Sequence, residues 1–326
     1  MRCPAPAQRK HNMTHSVISL QGLGKCFGHT IAVRDISMEI GGAEIFGFLG
    51  ANGAGKTTTI RMLCGLTRST RGRGRIHGLD IWRDRFRVRP LFGYVPQRFS
   101  LYADLTVLEN LRFFGCAYRV PNDLSNARIE TLLSELDLAA NRETEAGRLS
   151  GGVKQLLSIS CALIHEPSVL FLDEPTAGLD PAHRQCIWGL LYKLWRQGTT
   201  IFLNTHYMDE AARCTDIGII KGGQLIAKGS PLTLKESLHR KILEIHVHEV
   251  MDGMQILRGI PDVYGVELRS GRLRIHARNS EALLDSWLRR WPFENLRWLG
   301  YSWVEPDMED VFMAYSQGLY SENRFG

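Results

Sequence analysis

Three short apolar runs stand out in the first two-thirds of the chain: residues 45–49 (IFGFL), 169–172 (VLFL) and 200–203 (TIFL). Each is nearly uninterrupted, as a strand buried on both faces requires, and stretches of helical period separate them. That alternation predicts a mostly parallel sheet with helices on its faces. Polar residues follow each run at once: Gly50 onward, Asp173 and Glu174, then Thr205 and His206. Ligands of open α/β sheets gather outside the carboxyl ends of the strands, so three such ends point to one site.

Between Arg98 and His165 the pattern turns helical. LTVLENLRFF and ARIETLLSELDL carry apolar residues at i, i+3, i+4 spacing, with Thr106 and Asn126 as start signals. Beyond about Pro231, KILEIHVH alternates with period two and VYGVELRSGRLRIHA reads as a hairpin turning at Ser270 and Gly271. EALLDSWLRR is helical, LRWLGYSWV is a further strand and MEDVFMAYS a closing helix. This order predicts a small α+β domain of ferredoxin-like type. The expected organisation is a tail over residues 1–15, an α/β domain over 16–231 with a helical part at about 98–165, and an accessory domain over 232–326. No internal repeat is visible.

Composition narrows the class. The 326 residues suit two domains, and 44% hydrophobic with 23% charged residues excludes disordered, collagen-like and coiled-coil chains. No apolar run approaches the roughly 18 residues of a membrane helix. The start, MRCPAPAQRKHNMTH, has no apolar core behind its basic residues, so a secretory signal is not expected and Met13 is an alternative start. The 7 cysteines are scattered without a CxxC pair, which favours reduced thiols inside the cell over a disulfide framework or zinc knuckle. His246 and His248 share one side of a predicted strand but have no third ligand, so solvent-facing side chains are expected.

The net charge of +6 is concentrated between Arg68 and Arg89, which holds eight arginines. A solvated face and an anionic membrane leaflet are the two readings weighed first. Nucleic acid ranks last and is not expected, because only Trp82 and Phe86 offer rings for stacking there.

GANGAGKTT, Gly50 to Thr58, fits GxxxxGK[ST] between a predicted strand and a predicted helix. Gly50, Gly53 and Gly55 let the backbone curl so that successive N–H groups face a phosphate. Lys56 brings a charge to the β- and γ-phosphates, and Thr57 offers a hydroxyl to Mg²⁺. Asp173, leaving a buried strand, is suited to hold Mg²⁺, and Glu174 beside it to orient or deprotonate water. LSGGVKQ, Leu149 to Gln155, starts another helix: Ser150 is a natural N-cap, and Gly151 and Gly152 leave first-turn N–H groups bare. Its expected buried face is Val153, Leu156, Leu157, Ser160 and Ile164.

In this order, Phe27 in KCFG, GANGAGKTT, Gln97 in YVPQ, LSGGVKQ, VLFLDEP, AGLD ending at Asp180, and His206, the chain resembles the ATP-binding subunits of ABC transporters over about Ile18 to Gly229. LYADLTVLENLRFF, NTHYMDEA and EPDMEDVF resemble the ABC-2-type drug-export branch, of which the daunorubicin-resistance proteins are the type. The resemblance implies a P-loop NTPase (RecA-like) core with a helical insertion and ATP with Mg²⁺ as ligands. It also implies a head-to-tail homodimer, or a pairing with another ATPase domain, in which the phosphate loop of one faces the LSGG helix of the other. Phe27 would stack on adenine, and Gly50, Asn52, Gly53, Ala54, Gly55, Lys56, Thr57 and Thr58 would hold the phosphates. Thr57, Gln97 and Asp173 would serve the metal, with Gln97 also sensing the attacking water. Glu174 would act as base, and His206 would contact the γ-phosphate. Ser150, Gly151 and Gly152 would close the site from the facing copy, with Asp180 linking the two sites.

Three departures are modest. Ala51 stands where proline is usual, Val153 where glutamine is, and Phe27 where tyrosine is commoner. None removes a catalytic group, so an active hydrolase is expected. A separate integral membrane permease would supply the pathway, docked near Leu101 to Phe114, with the subunit on the cytoplasmic face of the membrane. The alternative is a soluble ABC ATPase acting on ribosomes or nucleic acid, against which a single phosphate loop counts. A non-hydrolysing regulator would be expected to lack Glu174 or His206.

Overall fold

The three apolar runs become neighbouring strands at the centre of a large sheet. In the computed structural model, residues 16–238, 242–277, 280–289 and 296–317 are described. The expected tail, with Met13 and Cys3, lies outside them. The strands of the larger sheet are β1 (Ile18–Phe27), β2 (Thr30–Ile40), β3 (Ile45–Leu49), β4 (Arg71–Ile76), β5 (Leu79–Asp80), β6 (Phe92–Val95), β7 (Val169–Asp173), β8 (Thr200–Thr205), β9 (Asp216–Lys221) and β10 (Gln224–Gly229). They follow the order β5-β4-β1-β2-β10-β9-β3-β8-β7-β6. Two compact units divide at Leu225 and Ile226, within β10.

β6, β7, β8, β3 and β9 run parallel. Every residue of β3, β7 and β8 is buried, which explains their uninterrupted apolar sequence. Phe46, Phe48, Phe171 and Phe202 pack ring against ring here, with Phe202 at 5.4, 5.4 and 5.8 Å from the other three. Burying each phenyl ring contributes about 1.5–3 kcal/mol, so this cluster anchors the strand ends that matter.

The other arm of the sheet is antiparallel, β1 pairing with both β2 and β4. Period-two patterning marks it only weakly, because the register of β1 shifts after Leu20, Leu23 and Lys25 and interrupts the alternation. β1 delivers Phe27 to its end, where Gly28 turns the chain at φ 57°.

The helices of this unit are α1 (Lys56–Leu63), α2 (Arg85–Val88), α3 (Val107–Ala117), α4 (Asn122–Glu135), α5 (Gly151–Leu163), α6 (Pro181–Arg196) and α7 (Met208–Ala211). α3, α4 and α5 form the expected helical insertion. Thr106 caps α3 in a reciprocal capping box with Glu109. α4 starts four residues earlier than Asn126 suggested, directly after Pro121. Pro121 sets an extended entry without needing an N–H, and Asp123 complements the first turn. The predicted stripe on α5 also needs correction: Val153 is half-buried, and from Leu156 to Leu163 the helix is buried all round.

In the second unit, α8 (Pro231–Glu236), β11 (Ile242–Val247), α9 (Val250–Arg258), β12 (Val263–Arg269), β13 (Arg272–Ala277), α10 (Ser280–Arg289), β14 (Trp298–Val304) and α11 (Met308–Ser316) follow in turn. The sheet is antiparallel in the order β12-β13-β11-β14, the ferredoxin-like arrangement. The hairpin turns where predicted, with φ 48° at Ser270 and 78° at Gly271. β11 ends at Val247, so His248 lies beyond the strand that carries His246. Among the described residues no helix is long and apolar enough to cross a membrane.

Candidate active site

β3 stops at Leu49 and the chain curls through Gly50–Gly55 into α1. The curl needs glycine at Gly55, whose φ is 108° and whose added Cβ would lie 2.6 Å from the Ala32 carbonyl oxygen. Gly53, at φ 78°, faces open space instead. No side chain caps the start of α1, so its first N–H groups and its dipole remain available to an anion. Asn52 and Gly53 are exposed, Ala54 is buried, and Thr57 and Thr58 are partly covered.

Lys56 is buried inside this curl. Its ammonium donates to the carbonyls of Gly50 at 2.7 Å and Ala51 at 3.1 Å and lies 3.8 Å from Glu174. Burial lowers its pKa, opposed by the charges of Glu174 and Asp173.

Asp173, the last residue of β7, is 1% exposed. Its Oδ1 accepts from Thr57 Oγ1 at 3.2 Å and from Asn204 Nδ2 at 2.9 Å. Its Oδ2 is buried without a hydrogen-bond partner. Burial raises the carboxyl pKa, while the bonds from Asn204 and Thr57 pull it back. An orphaned carboxylate oxygen beside a hydroxyl is a donor set that suits a hard divalent cation such as Mg²⁺.

Glu174 is the meeting point. Its Oε2 accepts from Gln97 Nε2 at 3.0 Å, and its Oε1 lies 3.2 Å from His206 Nδ1. The segments leaving β6 and β8 thus each deliver one polar group to the carboxylate that the segment leaving β7 supplies. Its backbone sits at φ 53°, a left-handed conformation that costs about 1–3 kcal/mol for a side chain of this kind. The Glu174 N–H donates to the Asn204 carbonyl at 3.0 Å, which helps hold it there.

Two supporting residues escaped the sequence reading. Asn204 is fully buried and bonds both residues of the Asp173–Glu174 pair. Glu210, 1% exposed, accepts from Thr205 Oγ1 at 2.5 Å and from Thr176 Oγ1, tying the segment before His206 to the one after Glu174. Arg184, 3.8 Å from Glu210, balances its charge. The signal was a carboxylate four residues past His206 on a short helix, a spacing that only a known helix start makes legible.

The remaining predicted residues stand apart from this cluster. Phe27 is 53% exposed, with Lys25 Nζ 4.8 Å from its ring centre. Ser150 caps α5 by accepting from Val153 N–H at 3.4 Å, and both Ser150 and Gly151 are exposed. Gly152 packs against His183, whose ring an added Cβ would meet at 2.3 Å. Asp180 caps α6, accepting from Ala182 and His183 N–H, and lies 2.5 Å from His183 Nδ1. The bonds that assemble Lys56, Thr57, Gln97, Asp173 and Glu174 include none to Ser150, Gly151 or Gly152.

The ABC transporter family model matches residues 33–177. A probable multidrug ABC transporter ATP-binding protein of Escherichia coli is 40% identical over 220 residues, 68% of this chain and 38% of that protein. This chain therefore matches well under half of that relative's length. A Nod factor export ATP-binding protein I of Ralstonia nicotianae is 35% identical over 301 residues, 91% of this chain and 92% of its own. Among solved structures, an ATP-binding subunit of an ABC transporter superposes with a TM-score of 0.65 at 29% identity, over 69% of this chain and 94% of that one. A dimeric ATP-binding cassette bound to ADP and Pi in a post-hydrolysis state superposes at 0.60 with 26% identity, covering 65% and 98%. Likeness that runs along nearly the whole of a relative makes the chain a member of the ATP-binding proteins of ABC transporters, a family whose activity is ATP hydrolysis.

Proposed function

We propose that this chain is the ATP-hydrolysing subunit of an ABC-2-type exporter, built from residues 16–231 and working as a head-to-tail pair against a membrane permease. The observation that carries the reading is the split arrangement of its polar groups. Gln97, Asp173, Glu174 and Lys56 meet at the phosphate loop, whereas the N-terminus of α5, capped by its own Ser150 and exposed at Ser150 and Gly151, belongs to no such cluster. A second copy supplying Ser150, Gly151 and Gly152 would complete the site.

In this reading Lys56 exchanges the Gly50 and Ala51 carbonyls for the phosphates of ATP, and Phe27 stacks on adenine. Glu174 takes the proton of the attacking water, with Gln97 and His206 holding its carboxylate in place. Mg²⁺, when bound with ATP, would be held by Thr57, Asp173 and Gln97 and would neutralise phosphate charge. Asp180 steadies the start of α6, close to the α5 N-terminus that faces the other copy. Loss of the γ-phosphate removes the charge that both helix starts share, so the pair separates.

Export as the task is supported by the names of the relatives, which specify multidrug transport and Nod factor export; a subunit that draws on ATP to drive such a permease would sit peripherally on the cytoplasmic side. A cavity of about 540 Å³ bordered by Leu66, Tyr94, Ser100, Leu101, Phe114 and Tyr118 supports a permease contact beside Gln97. Direct attraction of residues 68–89 to anionic lipid belongs to the same reading. The test is mass. A Glu174→Gln variant held at saturating ATP should show a two-copy mass by light scattering. A persistent single-copy mass, both alone and with its membrane partner, would overturn the shared site.

A further inference from the structure

Four of the eight arginines of residues 68–89 gather round a cup. β4 alternates, with Arg71, Arg73 and Arg75 exposed and Gly74 and Ile76 buried, so the three arginines share one face. Arg68, Arg71, Arg73 and Arg83 line a cavity of about 200 Å³ with Trp82 and Asp80. Arg68 and Arg85 lie over the Trp82 ring at 5.8 and 5.5 Å. Arg85 also lies 4.7 Å from the centre of Phe86, and Arg89 lies 5.6 Å from it.

Few acids balance this charge. Between Arg68 and Arg89 only Asp80 and Asp84 are acidic. Asp80 is engaged with the N–H groups of Trp82 and Arg83, and Asp84 with the N–H of Asp80. Among the described residues only two of the eight arginines form ion pairs, Arg71 with Asp35 at 3.8 Å and Arg87 with Asp84 at 3.7 Å. Glu39 lies on the same sheet face as Arg75, separated from it by Ser19 of β1. Phe86, against Arg85 and Arg89, is 68% exposed.

We propose that this arginine–aromatic surface binds anionic phospholipid directly, with a phosphate headgroup in the cup and Phe86 at the headgroup–acyl boundary. The proposal rests on the membrane-side placement above but needs no permease. Guanidinium forks match phosphate oxygens, and their alkyl stems tolerate an apolar boundary. An exposed ring flanked by arginines suits an interface, where one side is wet and the other apolar. Only two rings, Trp82 and Phe86, stand among these arginines, too few for a run of nucleic-acid bases to stack upon.

The test is co-sedimentation of the full chain with vesicles of phosphatidylcholine alone, or of three parts phosphatidylcholine to one part phosphatidylglycerol. Binding should require the anionic lipid, fall with added salt, and survive competition by inorganic phosphate. The combined change Arg73→Gln, Arg83→Gln and Arg85→Gln should weaken it roughly a hundredfold, at about fivefold per charge. Phe86→Ser should weaken it several-fold while leaving the salt dependence unchanged. Basal ATP hydrolysis should persist in both variants, which verifies their folding. Equal binding to both vesicle types, undiminished binding by the triple variant, or release by inorganic phosphate would overturn the proposal. So would binding of a single-stranded RNA oligonucleotide that the triple change abolishes, without any vesicle binding. The vesicles contain no protein, so failure of the permease reading would leave this result untouched.

Discussion

Glu174 shows how much one residue depends on its neighbours. Its carboxylate is 3.0 Å from Gln97 Nε2 and 3.2 Å from His206 Nδ1, and its strained backbone is bonded to Asn204. Glu174→Gln should retain ATP binding, because Lys56 and the loop N–H groups are untouched. It should lower turnover by about 10²–10⁴, the usual worth of a positioned base. Turnover measured beside nucleotide affinity checks this, and near-normal hydrolysis would reassign the base. Glu174, Gln97 and His206 were legible as candidates through their order along the chain. Asn204 and Glu210 were not, since asparagine in a strand and glutamate on a helix are ordinary until burial singles them out.

At the scale of an element, α11 is held to the polar face of its sheet by charge. Arg274, 5% exposed, lies 2.8 Å from Asp307 and 3.2 Å from Asp310, with Glu244 at 3.8 Å. Arg269 pairs with Asp307, Glu309 and Glu267, while His276 lies 3.6 Å from Asp310 and 3.9 Å from Glu267. Burial, with the Asp307 charge, pushes the Asp310 carboxyl up to about 6. Against burial, the N–H of Asp310 and the Arg269 guanidinium hold Asp307 down at about 2. An aspartate raised above its ordinary 3.8 binds more protons folded than unfolded, so its contribution to stability falls as pH rises from about 4 to about 6. Compared with Asp310→Asn, the wild type should therefore lose Tm across that window, by something on the order of a few degrees. Thermal unfolding of both proteins over that pH range checks it, and parallel profiles would contradict it. The sequence marked EPDMEDVF as noteworthy, yet the buried partners Arg274 and His276 come from a strand some thirty residues upstream.

At the scale of the molecule, the proposed pair makes a prediction about a residue distant from the phosphate loop. Ser150→Arg should abolish hydrolysis while leaving nucleotide affinity of the isolated subunit unchanged, since Ser150 bonds only within its own helix start. Equilibrium binding measured beside turnover distinguishes the two, and surviving turnover would count against sharing. By itself the sequence determined the parallel core, the phosphate loop, the helical insertion and the ordered motifs, because these rest on local periodicity and on short runs of neighbouring residues. It did not reveal the antiparallel arm or the true start of α4, where bulges and a proline break the local pattern. Only the tertiary structure brought Gln97, Asn204 and His206 to the Asp173–Glu174 pair, because the parallel pairing of β6, β7 and β8 aligns strand ends that lie far apart along the chain. Hydrogen bonds and burial act through space, so which polar groups meet is decided by that pairing.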